Sequence, residues 1–308
     1  MSTPVQSVMP RPVLRAQLRL VAVLAGLMLL AIVLPLHAWH IESRYYLPLH
    51  TTLEFAAIVV AFLVFATVWH TPSREGTVSL LFIAVALFAA GWLDFAHALS
   101  FKGMPDLVTP SSTEKGIALW LAARFLVAAT LAGVSLAPEG ATPSRRMRYD
   151  ILLTYTVVNG LVLWVVLFHG SELPATFIEG VGVTRTKVVA EWFITGLLVL
   201  AAWRYYRRAR TTGGEFPALI FGAAAVAALG EVFFTAYSEI NDAQNLLGHV
   251  YKIVSYSLIY QAMFVISVRA PYVRLAHKTD LLLQANETMR TQALALESTT
   301  APDRKSVV

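Results

Sequence analysis

Residues 78–99 read VSLLFIAVALFAAGWLDFAHAL, an apolar run that meets its first ionisable residue at Asp94 and its second at His97. At ~1.5 Å per residue, a helix of this length crosses the ~30 Å hydrocarbon core of a bilayer. The run predicts a membrane-spanning helix with polar groups near one end. A charge in hydrocarbon costs roughly 2.5–3.5 kcal/mol on insertion scales. Asp94 and His97, three residues apart, share a helix face. The fold must therefore bring partners to that face from other helices.

Seven further stretches have the same character. The predicted spans are residues 18–38, 51–70, 78–99, 116–136, 150–169, 188–205, 217–237 and 248–268. The chain of 308 residues is 57% hydrophobic, with a mean hydropathy of +0.62. Ordinary domains run roughly 45–50% apolar, so the class is an all-α, polytopic membrane protein of eight transmembrane helices. The apolar run 20–36 exceeds the roughly 7–15 residues of a signal-peptide core, so it counts as the first helix. The chain has no Cys, which excludes disulfides and thiolate metal sites.

Orientation follows from Arg and Lys. One set of loops carries Arg11, Arg15 and Arg19, then Arg74, then Arg145, Arg146 and Arg148, then Arg204, Arg207, Arg208 and Arg210, and finally Arg269 and Arg274. The alternate loops mix Arg44, Lys102, Lys115, Arg185 and Lys187 with Glu42, Asp106, Glu114, Glu172, Glu179, Glu239 and Asp242. The first set is expected inside, which places both termini in the cytoplasm. The formal charge of +5 is then a topology signal and no argument for nucleic acid.

With this orientation, Glu54, Asp94, His97, Arg124, Glu191, Glu231, His249 and Lys252 all fall in the outer half of the membrane or at its outer rim. Their shared depth predicts one polar cavity open to the outside. Arg124 cannot shed its proton and needs a carboxylate from among Glu54, Asp94, Glu191 and Glu231. Asp94 with His97, and His249 with Lys252, are pairs three residues apart. The Asp94–His97 pair could bind a metal, relay a proton or satisfy itself; Lys252 could instead snorkel to the outer surface with His249 at the headgroups, and Asn245 could cap its helix. Glu54, Asp94, His97 and His249 could hold a divalent metal. His97 and His249 could hold a haem edge-on. His50 could join the group, whereas His70 ends its span on the inner side.

After the last span, Leu275, Leu282, Met289 and Leu296 recur every seven residues, with Thr279, Asn286 and Ala293 between them. This is a weak coiled-coil seam and suggests a homodimer. The expected organisation is a cytoplasmic segment 1–17, a membrane domain 18–268, a cytoplasmic signalling helix 269–297 and a disordered tail 298–308.

Four stretches carry a resemblance: His50-Thr51-Thr52-Leu53-Glu54-Phe55, the run Asp94 to Met104, Trp120-Leu121-Ala122-Ala123-Arg124-Phe125, and Asn245-Leu246-Leu247-Gly248-His249-Val250-Tyr251-Lys252. Together with Ile259-Tyr260 and Pro271-Tyr272, they resemble the third class of bacterial membrane-associated sensor (MASE) domains over about residues 15–275. The resemblance implies an inner-membrane sensory module that controls a cyclic-di-GMP enzyme or a histidine kinase, and it names no ligand. Only about forty residues follow the last span, too few for a catalytic output domain. The chain is then a fragment, or it acts through a partner. The leading expectation is a non-enzymatic receptor in the lipid bilayer that detects a small ligand, ion or membrane cue. The alternatives are a small-solute or ion transporter and a metal- or haem-binding membrane protein. No Gly-x-Ser-x-Gly, His-Glu-x-x-His or phosphate-cradling loop is present.

Overall fold

Hydroxyl and carboxylate side chains set the helix starts in the computed structural model, which describes residues 11–34, 41–71, 77–137, 141–235 and 241–300. Helices α1 (Arg11–Val33) and α2 (Ser43–Trp69) open the chain. Thr77, Ser112, Ser144 and Thr184 each accept the backbone N–H three residues on, starting α3 (Val78–Ser100), α4 (Thr113–Leu136), α5 (Arg145–Phe168) and α6 (Arg185–Thr212). Such a cap contributes about 1 kcal/mol. Gly213, at φ 67°, ends α6 in the left-handed conformation that glycine adopts freely. Then follow α7 (Glu215–Phe233) and α8 (Ala243–Phe264). Asp242, not Asn245, caps α8 by accepting from Asn245 N–H at 2.8 Å.

All eight helices are long and apolar enough to cross a membrane. The main difference from the predicted spans is α2, which starts at Ser43 and not at 51. Pro48 and the polar residues around it made that stretch look like a loop. Glu54 consequently lies three turns into its helix.

Six of the helices close a ring. Contacts run α2–α3, α3–α4, α4–α6, α6–α7, α7–α8 and back from α8 to α2. The other two pack outside it, α1 on α7 and α5 on α3 and α4. The buried fraction follows this plan: α3, α4 and α7 are mostly buried, while α1 and α5 are mostly exposed. On α5 the exposed stripe is Leu153, Val157, Leu161 and Trp164, at helical spacing. A stripe of that kind is stable against lipid and not against water. Small residues bring the ring together. A Cβ on Gly91 would meet the Phe62 ring at 2.7 Å, and one on Gly222 would meet Gln17 of α1 at 2.3 Å. Gly160 and Gly196 by contrast face open space.

The α5–α6 connection carries a 3₁₀ turn, Gly170–Glu172, and a small antiparallel hairpin, β1 (Phe177–Ile178) with β2 (Gly182–Val183). It places Phe177 against Ile117, Trp120 and Phe234. After α8 the helix widens into a π turn over Val265–Arg269, a form that often marks functional positions.

Residues from Val268 onward form a separate unit. It holds α9 (Ala270–Thr300), on which Leu275, Leu282, Met289 and Leu296 are all exposed. Of the tail expected at 298–308, residues 298–300 belong to α9 and 301–308 lie outside the described residues.

Candidate functional site

Each ring helix except α7 offers polar or aromatic residues three or four apart, on one face. On α2 these are His50 and Glu54; on α3, Asp94 and His97; on α4, Trp120 and Arg124; on α6, Lys187 and Glu191. On α8, Asn245, His249, Lys252 and Tyr256 fill three successive turns, and α7 adds Glu231. Nearly all are buried, and they meet at one end of the ring.

Two carboxylates share two cations at the centre. One Arg124 nitrogen donates to both Asp94 oxygens, at 2.9 and 2.8 Å, and to the Tyr256 hydroxyl at 2.7 Å. Lys252 donates to the Glu54 oxygens at 3.0 and 2.7 Å and lies 3.0 Å from Asp94 Oδ2. Lys252 therefore does not snorkel; it points inward and bridges α2 and α3. The Trp120 ring lies beneath both cations, 4.7 Å from each. Such cation–π contacts add to the ion pairs where water is excluded.

A second group sits between α6 and α7. Lys187 donates to Glu191 at 2.9 Å and to the Phe234 carbonyl. Glu231 of α7 and Glu191 of α6 bring two carboxyl groups together beside Lys187. Four buried carboxyl groups, Glu54, Asp94, Glu191 and Glu231, thus face three buried cations, Arg124, Lys187 and Lys252, and pairing lowers the cost of placing charge in hydrocarbon.

The histidines form the third group. His97 Nδ1 lies 2.7 Å from the Gly116 carbonyl, and its Nε2 lies 3.3 Å from His50 Nε2. A carbonyl only accepts, so the His97 proton sits on Nδ1 and the Nε2 lone pair faces His50. The His249 Nδ1 lies 2.6 Å from Glu54 Oε1, and its Nε2 lies 3.1 Å from the Asn245 side-chain oxygen. The three rings pack together, His50 at 5.3 Å from His97 and 4.6 Å from His249.

All eight sequence-derived residues thus belong to connected contacts. Among the described residues they do not enclose an open cavity. The space among Trp120, Arg124, Glu231 and Lys252 is about 20 Å³, room for about one water. No haem fits between His97 and His249, because His50 and Trp120 fill that space. Of the four residues suggested for a metal, Asp94 is occupied by Arg124 and Lys252. Glu54 and His97 instead converge with His50, their donor atoms all within 4.8 Å of one another.

Sequence reasoning left out Tyr256, Trp120 and Lys187. Tyr256 lies four residues beyond Lys252, and Lys187 four before Glu191, so helical spacing from the known residues would have found both. Outside the network, Lys102 and Glu179 pair on the surface at 2.5 Å, and Lys102 holds the Glu179 carboxyl below the usual range.

Residues 41–271 match the family model MASE3, a membrane-associated sensor domain. No curated protein and no solved structure matches the chain at a significant level. The match begins beyond α1, so that helix lies outside it, and the resemblance expected over residues 15–275 is narrower at both ends.

Proposed function

Since the chain belongs to the MASE3 family of membrane-associated sensor domains, we propose that it is the input module of a signalling protein, reading a cue at its polar end and passing it through α8. The protein is multi-pass in the membrane. The distribution of Arg supports a bacterial inner membrane orientation with both termini in the cytoplasm and the polar network on the outer side.

One observation carries the reading. Successive turns of α8 hold partners on three other helices: His249 and Lys252 on α2, Lys252 on α3, and Tyr256 on α4. A cue that rearranges these contacts changes what holds α8, and the chain runs from α8 through the π turn into α9. A shift of about an ångström or a small rotation is the usual size of such a signal. The exposed seam of Leu275, Leu282, Met289 and Leu296 is the contact through which a homodimer passes it to a cyclic-di-GMP enzyme or a histidine kinase.

A transporter is the weaker reading. Beyond Glu54, Asp94 and Arg124, the interior is built of residues such as Ala61, Val64, Ile83, Leu87, Leu131 and Leu198, which give a solute no polar path. The test uses the absence of native Cys. Single Cys at Leu282 or Met289 should cross-link between subunits in membranes, and Cys at Gln284 much less. Equal cross-linking at all three positions, or none, would remove the relay.

A further inference from the structure

We infer that His50, His97 and Glu54 bind a divalent first-row transition ion of the zinc type. The first argument is convergence. The three residues are buried and their donor atoms lie within 4.8 Å of one another. The two Nε2 atoms are 3.3 Å apart. Two nitrogens at about 2.0–2.1 Å from a tetrahedral ion are separated by about 3.3 Å, the edge of that tetrahedron. The rings need little movement to take an ion.

The second argument is orientation. Metal-binding imidazoles fix their tautomer by donating the other ring N–H to a carbonyl or a carboxylate. His97 does this with the Gly116 carbonyl at 2.7 Å, which leaves the Nε2 lone pair aimed at the site. His50 Nδ1 has no hydrogen-bond partner among the described residues. Nothing therefore prevents it from carrying its proton there and presenting Nε2 inward. A plain His–His hydrogen bond is the competing account. It explains the 3.3 Å contact, and Lys252 and His249 hold Glu54 in place in either case, so ion binding itself separates the two accounts.

The donor set selects the ion. Two imidazoles and one carboxylate, with a fourth position open, suit zinc-like ions. Calcium and magnesium require six or more oxygens or a shell of waters. A cleft of about 490 Å³ adjoins the donors. Tyr46 and Phe101 line it together with Ser43, Leu47, Lys102 and Glu179, and those two rings also pack on His50, at 5.7 and 4.4 Å.

Binding would also be coupled to α8, a step that rests on the sensory reading above. Glu54 is held by Lys252. An ion that takes a Glu54 oxygen competes with that ammonium and leaves Lys252 to Asp94 alone.

The test uses the full chain in nanodiscs, stripped with chelator and titrated with Zn²⁺ by calorimetry and with Co²⁺ by visible absorption. One ion per chain and the intense bands of tetrahedral Co²⁺ are expected. His50→Gln and His97→Gln should each weaken binding at least tenfold, while His169→Gln, at the exposed end of α5, should not. X-ray absorption on the unmutated Zn²⁺ form should count two imidazoles, a readout independent of whether a variant folds. No binding, a spectrum without two imidazoles, or unchanged binding in folded His50→Gln and His97→Gln would overturn the site. Cross-linking at Leu282 separates the two proposals. Binding without any change in cross-linking retains the site and removes its coupling, whereas cross-linking without binding leaves the sensory reading standing.

Discussion

Lys252 should be the most costly single side chain to remove from the network, and its loss should not add to the loss of Glu54. Lys252→Met keeps the length of the stem and deletes the charge. It strands Glu54, which the ammonium holds at 2.7 Å, and takes away one of the two cations on Asp94, at 3.0 Å. Breaking a buried pair from one side typically costs about 3–5 kcal/mol. Glu54→Gln is milder, because Lys252 keeps Asp94; about 1–3 kcal/mol is the expected scale for a lost buried hydrogen bond. In the double variant the stranded carboxylate is gone, so its stability should be no worse than that of Lys252→Met alone. The assay is thermal unfolding in detergent with chelator present, where 1 kcal/mol corresponds to roughly 2–4 °C. Lys252→Met should lower the midpoint by roughly 6–20 °C. Two losses that add to within about 0.5 kcal/mol, the behaviour of independent sites, would refute a shared buried pair.

Arg124→Ala should destabilise more than Arg124→Lys, and both more than Arg146→Ala, because Arg146 is exposed with its Asp150 contact at 3.6 Å; equal melting of all three would place Arg124 outside the core. Gly248→Ala should lower the midpoint by the equivalent of about 1–3 kcal/mol of overpacking, since its Cβ would meet the Phe234 ring at 2.3 Å. Gly160→Ala, with open space around it, should leave stability unchanged or raise it by up to about 1 kcal/mol, and the same sign at both positions would contradict the packing described. Reporter fusions after Arg210 and Arg274 should read as cytoplasmic and one after Glu179 as external; an external signal at Arg274 would break the eight-span topology.

The eight spans were legible because hydropathy is a local property, and a run such as 78–99 has no other stable home. Shared depth along the helices also brought Glu54, Asp94, Arg124 and Lys252 into one group. Which cation meets which carboxylate was not legible, because it depends on the order of helices around the ring. Arg124 had four candidate partners in the sequence, and the α3–α4 contact selects Asp94. Lys187 was read as a loop residue because a lysine near a span end usually reaches water. Its Nζ turns inward because Glu191 and the Phe234 carbonyl offer a better shell. The closure of the site was hidden for a related reason. Counting charges suggests polar space, but Trp120, Tyr256, His50 and Phe234 fill it, and aromatic residues in a span read as ordinary apolar ones.

The pairing of Glu54 with Lys252 joins residues 198 apart in sequence, and that distance is also a delay. At about 5–20 residues per second of synthesis, the carboxylate emerges about 10–40 s before its lysine. During that interval α2, α3 and α4 can be inserted, but the ring has no eighth helix to close it. Assembly must therefore finish after translation of α8, and the helix that closes the ring is the one that leads to α9. A chain stopped short of Ala243 would sit in the bilayer with Glu54 unmatched, exposed to the proteases that survey unassembled membrane helices. Production of a readable sensor and completion of its buried charge pairs are thus a single event.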